Sequence, residues 1–106
     1  MIYTIEEIKR RVAPVAEKYN LKAVYLFGSY ARGEADDDSD VDLLIDRTGS
    51  TVASLFDMGG LFNDMEQSVG KEIDIITTQT LEQKRTIRRF PGMVKSIADE
   101  RVLLYE

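Results

Sequence analysis

Apolar residues recur at helical spacing near the start of the chain, where Ile5, Ile8, Val12 and Val15 fall on one face. Thr4, followed three residues later by Glu7, is a capping-box pattern, so a first helix is expected over residues 5–19, with Pro14 kinking or locally interrupting it. The pattern then changes. Lys22 to Phe27 is a short β-rich run that stops at Gly28 and predicts a strand. Residues 30–34 form a turn or short helix, the Asp-rich stretch is a loop, and residues 41–45 are a second strand. Gly49-Ser50-Thr51 is a breaker and cap ahead of an amphipathic helix carrying Val52, Leu55, Phe56, Phe62, Met65 and Val69, weakened by Gly59-Gly60 and ended near Gly70. Residues 72–77 predict a third strand. Thr80 and Gln83 suggest another capping box for a helix through about residue 89, which Pro91 stops. A short helix over residues 93–99 and a last strand over residues 102–105 complete the reading.

Helices and strands alternate without an obvious repeat or linker, which predicts an α/β or α+β arrangement of one sheet with helices on it. A length of 106 residues fits a single domain over residues 1–106. Folding at this size removes roughly two-thirds of the unfolded surface from water, enough for one core. The absence of cysteine excludes disulfides and thiolate chemistry. The absence of histidine removes the usual general base and the commonest zinc ligand. The N-terminus lacks signal-peptide character and no apolar run approaches membrane-spanning length, so a cytoplasmic chain with no membrane partner is expected.

Charge changes the picture in two places. The total is −5, from 14 basic and 19 acidic residues, a sign that argues against a nucleic-acid partner. Glu34, Asp36, Asp37, Asp38, Asp40, Asp42 and Asp46 concentrate the acids within one short stretch. After residue 83 the sign reverses, with Lys84, Arg85, Arg88, Arg89 and Lys95. That cluster reads either as a solvated helix face or as a docking surface for an acidic partner or for phosphate.

Asp40 and Asp42 are the acids that need explaining. Residues i and i+2 of a strand share a face, so the two carboxylates can converge on one point and repel unless a cation lies between them. Magnesium, held by one or two carboxylates plus substrate phosphates, suits such a place, with Gly28-Ser29 upstream for the phosphates. Three simpler readings compete. Gly28 and Gly33 have P-loop spacing, but Glu34 and Ala35 stand where a P-loop needs Lys and Ser or Thr. Asp36, Asp38, Asp40 and Asp42 imitate the start of an EF-hand loop, yet Val41 takes the glycine position and Arg47 that of the bidentate glutamate. A plain acidic loop describes Asp36 to Asp38 but not two acids entering a strand of Val, Leu, Leu and Ile. Asp74 then repeats the theme, as one acid interrupting Ile73-Asp74-Ile75-Ile76. If the two strands are neighbours, it can face Asp40 and Asp42.

Gly28-Ser29-Tyr30-Ala31-Arg32-Gly33, then Ser39-Asp40-Val41-Asp42-Leu43, then Asp74, resembles the signature of the polymerase-beta-type nucleotidyltransferase superfamily. Within it the chain is similar over nearly its whole length to the minimal nucleotidyltransferase (MNT) antitoxins encoded beside HEPN-domain toxins. The resemblance implies a small mixed β-sheet flanked by helices, the polymerase-beta-like fold. It implies that Gly28 and Ser29 bind the triphosphate and that Asp40 and Asp42 hold two magnesium ions. Asp74 would ligate one metal and orient or deprotonate the attacking hydroxyl. Arg32 would touch phosphate or pair with the acidic loop. It further implies a hetero-oligomeric, type VII-like toxin–antitoxin pair, in which AMP from ATP is added to a tyrosine hydroxyl of the HEPN RNase. Two other roles stay open at this point: masking of the toxin by binding alone, and nucleotide transfer to RNA or a small molecule, which the acidic balance disfavours.

Overall fold

The computed structural model describes residues 2–106. Its four strands form one mixed sheet in the order β3-β2-β1-β4, with β1 over Ala23–Phe27, β2 over Val41–Asp46, β3 over Ile73–Thr77 and β4 over Val102–Tyr105. β1 pairs antiparallel with β2 and with β4, whereas β2 and β3 run parallel. A parallel pair needs a crossover. Here the helix α3, Leu55–Val69, supplies it. Helix α1 covers Ile5–Lys18, and a single turn, α2, covers Ser29–Arg32. After β3 come α4, Thr78–Glu82, α5, Lys84–Arg89, and α6, Pro91–Glu100.

Strand alternation divides the apolar residues between two faces of unequal depth. One face carries Val24, Leu26, Val41, Leu43, Ile45 and Ile73, packed against Ile8, Val12 and Ala16 of α1 and Leu61, Met65 and Val69 of α3. The other face has a small cluster, Leu44 with Leu81 and Ile97, to which Tyr25, Phe27, Ile76 and Val94 add partly buried area. Polar ties reinforce the deep side. The Lys18 ammonium and the Tyr19 hydroxyl both donate to Asp64 Oδ2, at 2.7 and 2.6 Å. Arg11 donates to Glu7 Oε1 at 2.8 Å and to the Val69 carbonyl at 3.1 Å.

Several local expectations shift. α1 passes through Pro14 as one helix. Pro14 is exposed, and the carbonyl it leaves without a helical donor belongs to exposed Arg10, where water can serve it. α3 starts later than residues 49–52, because Ser54 is its cap: Ser54 Oγ accepts from the Asp57 amide at 3.1 Å and Asp57 Oδ2 accepts from the Ser54 amide at 3.1 Å. The buried stripe of α3 is consequently Leu61, Met65 and Val69, and Leu55 and Phe56 are 92% and 89% exposed instead of in the core. The helix expected up to residue 89 is two. Thr77, not Thr80, caps the first, accepting from the Thr80 amide at 3.1 Å, and extended backbone at Gln83 separates it from the second. Pro91 does not merely stop a helix but occupies the first turn of α6, where its missing N–H costs nothing.

Removing the Ser54 cap should therefore be felt as fold stability alone. Ser54→Ala is expected to cost about 1 kcal/mol in chemical denaturation, while leaving nucleotide binding unchanged.

Candidate functional site

The register of the parallel pair sets Asp42 directly opposite Asp74. Both alternate with inward-facing apolar neighbours, so their side chains stand on the shallow face with Leu44 and Ile76. On the other side of β2, Asp42 pairs with Phe27, the last residue of β1. The chain then leaves the sheet through Gly28, whose φ is +77°, a left-handed value that favours glycine. A Cβ on Gly28 would lie 2.1 Å from Asp42 Oδ2. Glycine thus lets the turn close onto the carboxylate, and the amide-rich turn and the acid become neighbours.

Ser29 opens α2 directly behind that turn. Gly28 takes the N-cap position, so the Ser29 hydroxyl is not the cap of α2, while the Ser29 carbonyl accepts from the Glu34 amide at 2.9 Å and fixes the loop. Asp40 is half-buried and lies one residue ahead of β2, whose first amide, that of Val41, donates to the Glu72 carbonyl at 3.0 Å. Asp74 is exposed. Of the sequence-predicted acids, Asp74 stands opposite Asp42 in the strand register, and both Asp74 and Asp40 act on Asp42 through their charges. Among the described residues, no three acidic side chains are already gathered tightly enough to hold a metal ion.

Electrostatics single out Asp42. Burial, then the charges of Asp74 and Asp40, then the hydrogen bond with Asp74, push its carboxyl up to about 6, against a weaker downward pull from Arg32. All the donors at this place are carboxylate oxygens, the chemistry that a hard divalent cation takes, and the repulsion among them is what such a cation relieves. By donor type, these residues suit magnesium. Arg32 adopts the ion-pairing alternative: its Nε donates to Glu34 at 3.2 Å and its Nη1 to Glu100 at 3.4 Å.

Two groups of residues near the site were not evident from the sequence. Phe27, Gly28 and Arg32 meet Met93, Ser96, Ile97 and Glu100 of α6 around a cleft of about 180 Å³. Lys71 meets Asp37, Asp38, Ser39, Asp40 and Glu72 around another of about 330 Å³. The Lys71 ammonium donates to the Asp37 carbonyl at 3.2 Å and lies 5.7 Å from the centre of the Tyr30 ring. Only the antiparallel seating of β4 on β1, with Val102 opposite Leu26, carries α6 to Gly28, and no local sequence signal announces that.

The profile of the nucleotidyltransferase domain family matches residues 5–104. The chain belongs to that family. This nucleotidyltransferase domain is 38% identical over 77 residues to a candidate protein adenylyltransferase of Methanocaldococcus jannaschii, an alignment covering 73% of this chain and 81% of the relative. It is 32% identical over 83 residues to the protein adenylyltransferase MntA of Thermococcus cleftensis, covering 74% of this chain and 82% of that one. Among solved structures, a candidate minimal nucleotidyltransferase superposes with a TM-score of 0.67 at 29% identity, over 94% of this chain and 95% of its own. A toxin–antitoxin structure with AMP-PNP superposes with a TM-score of 0.66 at 16% identity, over 92% of this chain and 72% of that chain, a likeness of fold. The nucleotidyltransferase is therefore a small mixed-sheet enzyme domain homologous to protein adenylyltransferases. No helix among the described residues is long and apolar enough to cross a membrane.

The raised Asp42 carboxyl gives this domain a specific pH signature. Unfolded, the group loses its proton near 3.8; folded, near 6. The native state thus holds the proton more tightly, and this group's contribution to stability falls as pH rises from 3.8 through 6, then levels off. Without divalent cations, Asp42→Asn should lose that slope and melt at or slightly above the parent at pH 7.5. Thermal melts of both proteins across this pH range check it, and marked destabilisation of the variant would make Asp42 a structural residue.

Proposed function

We propose that this nucleotidyltransferase domain is the antitoxin of a HEPN/MNT pair and transfers AMP from ATP to a tyrosine hydroxyl of its HEPN RNase partner. The observation that carries the reading is the Gly28 turn closed onto Asp42, itself paired across the sheet with Asp74. Homology to protein adenylyltransferases supports AMP as the group and a protein as the acceptor. The proposed domain is residues 1–106, working in a hetero-oligomer with its partner.

Gly28 and Ser29 would bind the triphosphate, the turn through its backbone amides and Ser29 through a hydroxyl that has no capping duty. Arg32 would reach the same phosphates by exchanging Glu34 and Glu100 for them, a step that leaves two carboxylates to find other partners. Asp40, Asp42 and Asp74 would hold two magnesium ions, which when bound neutralise charge on the phosphates and on the oxygens of the in-line displacement. Asp74, exposed at the edge strand, accepts the tyrosine proton. The tyrosine oxygen then bonds to the α-phosphorus, the bond from that phosphorus to the bridging oxygen breaks, and pyrophosphate leaves with its electron pair. A carboxylate base is the natural choice in a chain without histidine.

Incubation of the purified pair with α-labelled ATP and magnesium should put covalent label on the HEPN protein, and chelation or Asp42→Asn should abolish it. Inhibition of the RNase without label would overturn transfer in favour of masking by direct binding.

Substitutions at the turn separate geometry from affinity. Gly28→Ala adds an atom against Asp42 and strains a positive φ, so it should cost about 1–2 kcal/mol of stability. By moving the carboxylate it should also slow transfer on the order of a hundredfold. Ser29→Ala should weaken ATP binding while leaving the melting temperature unchanged, because the hydroxyl caps nothing. Calorimetric titration with ATP and melts on the same samples check both.

A further inference from the structure

The most unusual surface of the molecule is α5. None of its residues is buried, so it adds almost nothing to the core, yet it carries Lys84, Arg85, Arg88 and Arg89. No ion pair among the described residues uses any of these four cations, in a chain whose total charge is −5. Apolar side chains accompany them: Ile87 is 44% exposed, and Phe90, at the junction with α6, is 49% exposed. Solvation accounts for the charges but not for the exposed aromatic and aliphatic groups beside them.

Position adds a second observation. α6 packs on the shallow face of the sheet through Ile97, the face that carries Asp42 and Asp74. Phe90 lines a basic cleft of about 390 Å³ with Arg85, Thr86 and Arg89. Three residues on, Met93 lines the cleft of about 180 Å³ that reaches Gly28. Phe90 precedes α6 and Met93 lies in its first turn, so the start of one helix borders both clefts, which together outline a track from the basic helix toward the turn beside Asp42.

We propose that this track docks an acidic, partly apolar segment of the acceptor protein, holding it on α5 while its hydroxyl reaches Asp42 and Asp74. The inference rests on the reading that the acceptor is a protein. Charge complementarity chooses the occupant: unpaired cations steer an acidic segment, and Phe90 and Met93 hold its apolar side chains. A nucleic acid would meet the same cations, and the chain's total charge of −5 disfavours it.

A fluorescent synthetic peptide alternating glutamate and leucine around one tyrosine is the probe, read by anisotropy against the full chain. It should bind the parent, more weakly as salt rises, and at least about tenfold more weakly to the double variant Arg85→Glu, Arg88→Glu. Phe90→Ala should weaken it with the charges intact, and the charge reversal should not lower the melting temperature, since α5 buries nothing. ATP affinity should stay the same in the charge-reversed protein. The proposal is overturned if the parent ignores the peptide, if both variants bind it as the parent does, if oligouridylate binds in preference, or if reversal abolishes ATP binding. Peptide binding with no label reaching the HEPN protein would sink the transfer reading and leave this surface standing.

Discussion

Two carboxylates facing each other across adjacent parallel strands repel, and the rest of this structure is organised around holding them there. The register that opposes Asp42 to Asp74 also brings the end of β1 beside Asp42, and the turn at Gly28 closes the arrangement from above. Each acid is flanked in sequence by residues that belong to the opposite, deeply packed face. Val41 and Leu43 are fully buried on either side of Asp42, so the backbone cannot yield to the repulsion without opening the core. Burial first, and the repulsion after it, appear instead as proton affinity, in an Asp42 carboxyl pushed up to about 6.

Unequal faces make this possible. α1 and α3 bury their apolar stripes on one side of the sheet, where Ile8, Val12, Leu61, Met65 and Val69 are inaccessible to solvent. That side supplies most of the apolar burial, the main stabilising term for a chain of this length. The other side keeps only a small cluster around Leu44, Leu81 and Ile97 and can leave its strand ends open. A sheet packed equally deeply on both faces would have covered Asp42 and Asp74, at a desolvation cost that the weaker pull of Arg32 does not offset.

How far the sequence revealed this follows from the range of the forces involved. Strands at residues 41–45 and 102–105 and the first helix were legible because their periodicity and caps are local, as Thr4 accepting from the Glu7 amide shows. Asp42 and Asp74 were legible for a related reason: an acid inside an apolar strand needs an explanation wherever the strand ends up. What escaped were outcomes of competition between local signals. Ser54 with Asp57 made a better box than the cap expected at Ser50-Thr51, which turned Leu55 and Phe56 outward. Thr77 displaced Thr80 in the same way. The approach of Glu100 to Arg32, 68 residues apart, depends on β4 pairing with β1, and no window of sequence contains it.

Net charge was the least informative quantity, and the structure explains why. The total of −5 conceals two neighbourhoods of opposite sign, the acidic stretch from Glu34 to Asp46 and the basic α5. Acids gather where β2 and β3 begin, and cations gather on α5 after β3 ends. Screening confines each to a range of about 8–10 Å at ordinary salt, so an approaching molecule meets them as separate neighbourhoods. Read as a sum, the charge argues only against nucleic acid. Read as an arrangement, it separates an acidic end at the start of β2 and β3 from a basic end on α5. On the proposed reading, such a division would let one small sheet offer a nucleotide and an acceptor to each other without either competing for the other's place.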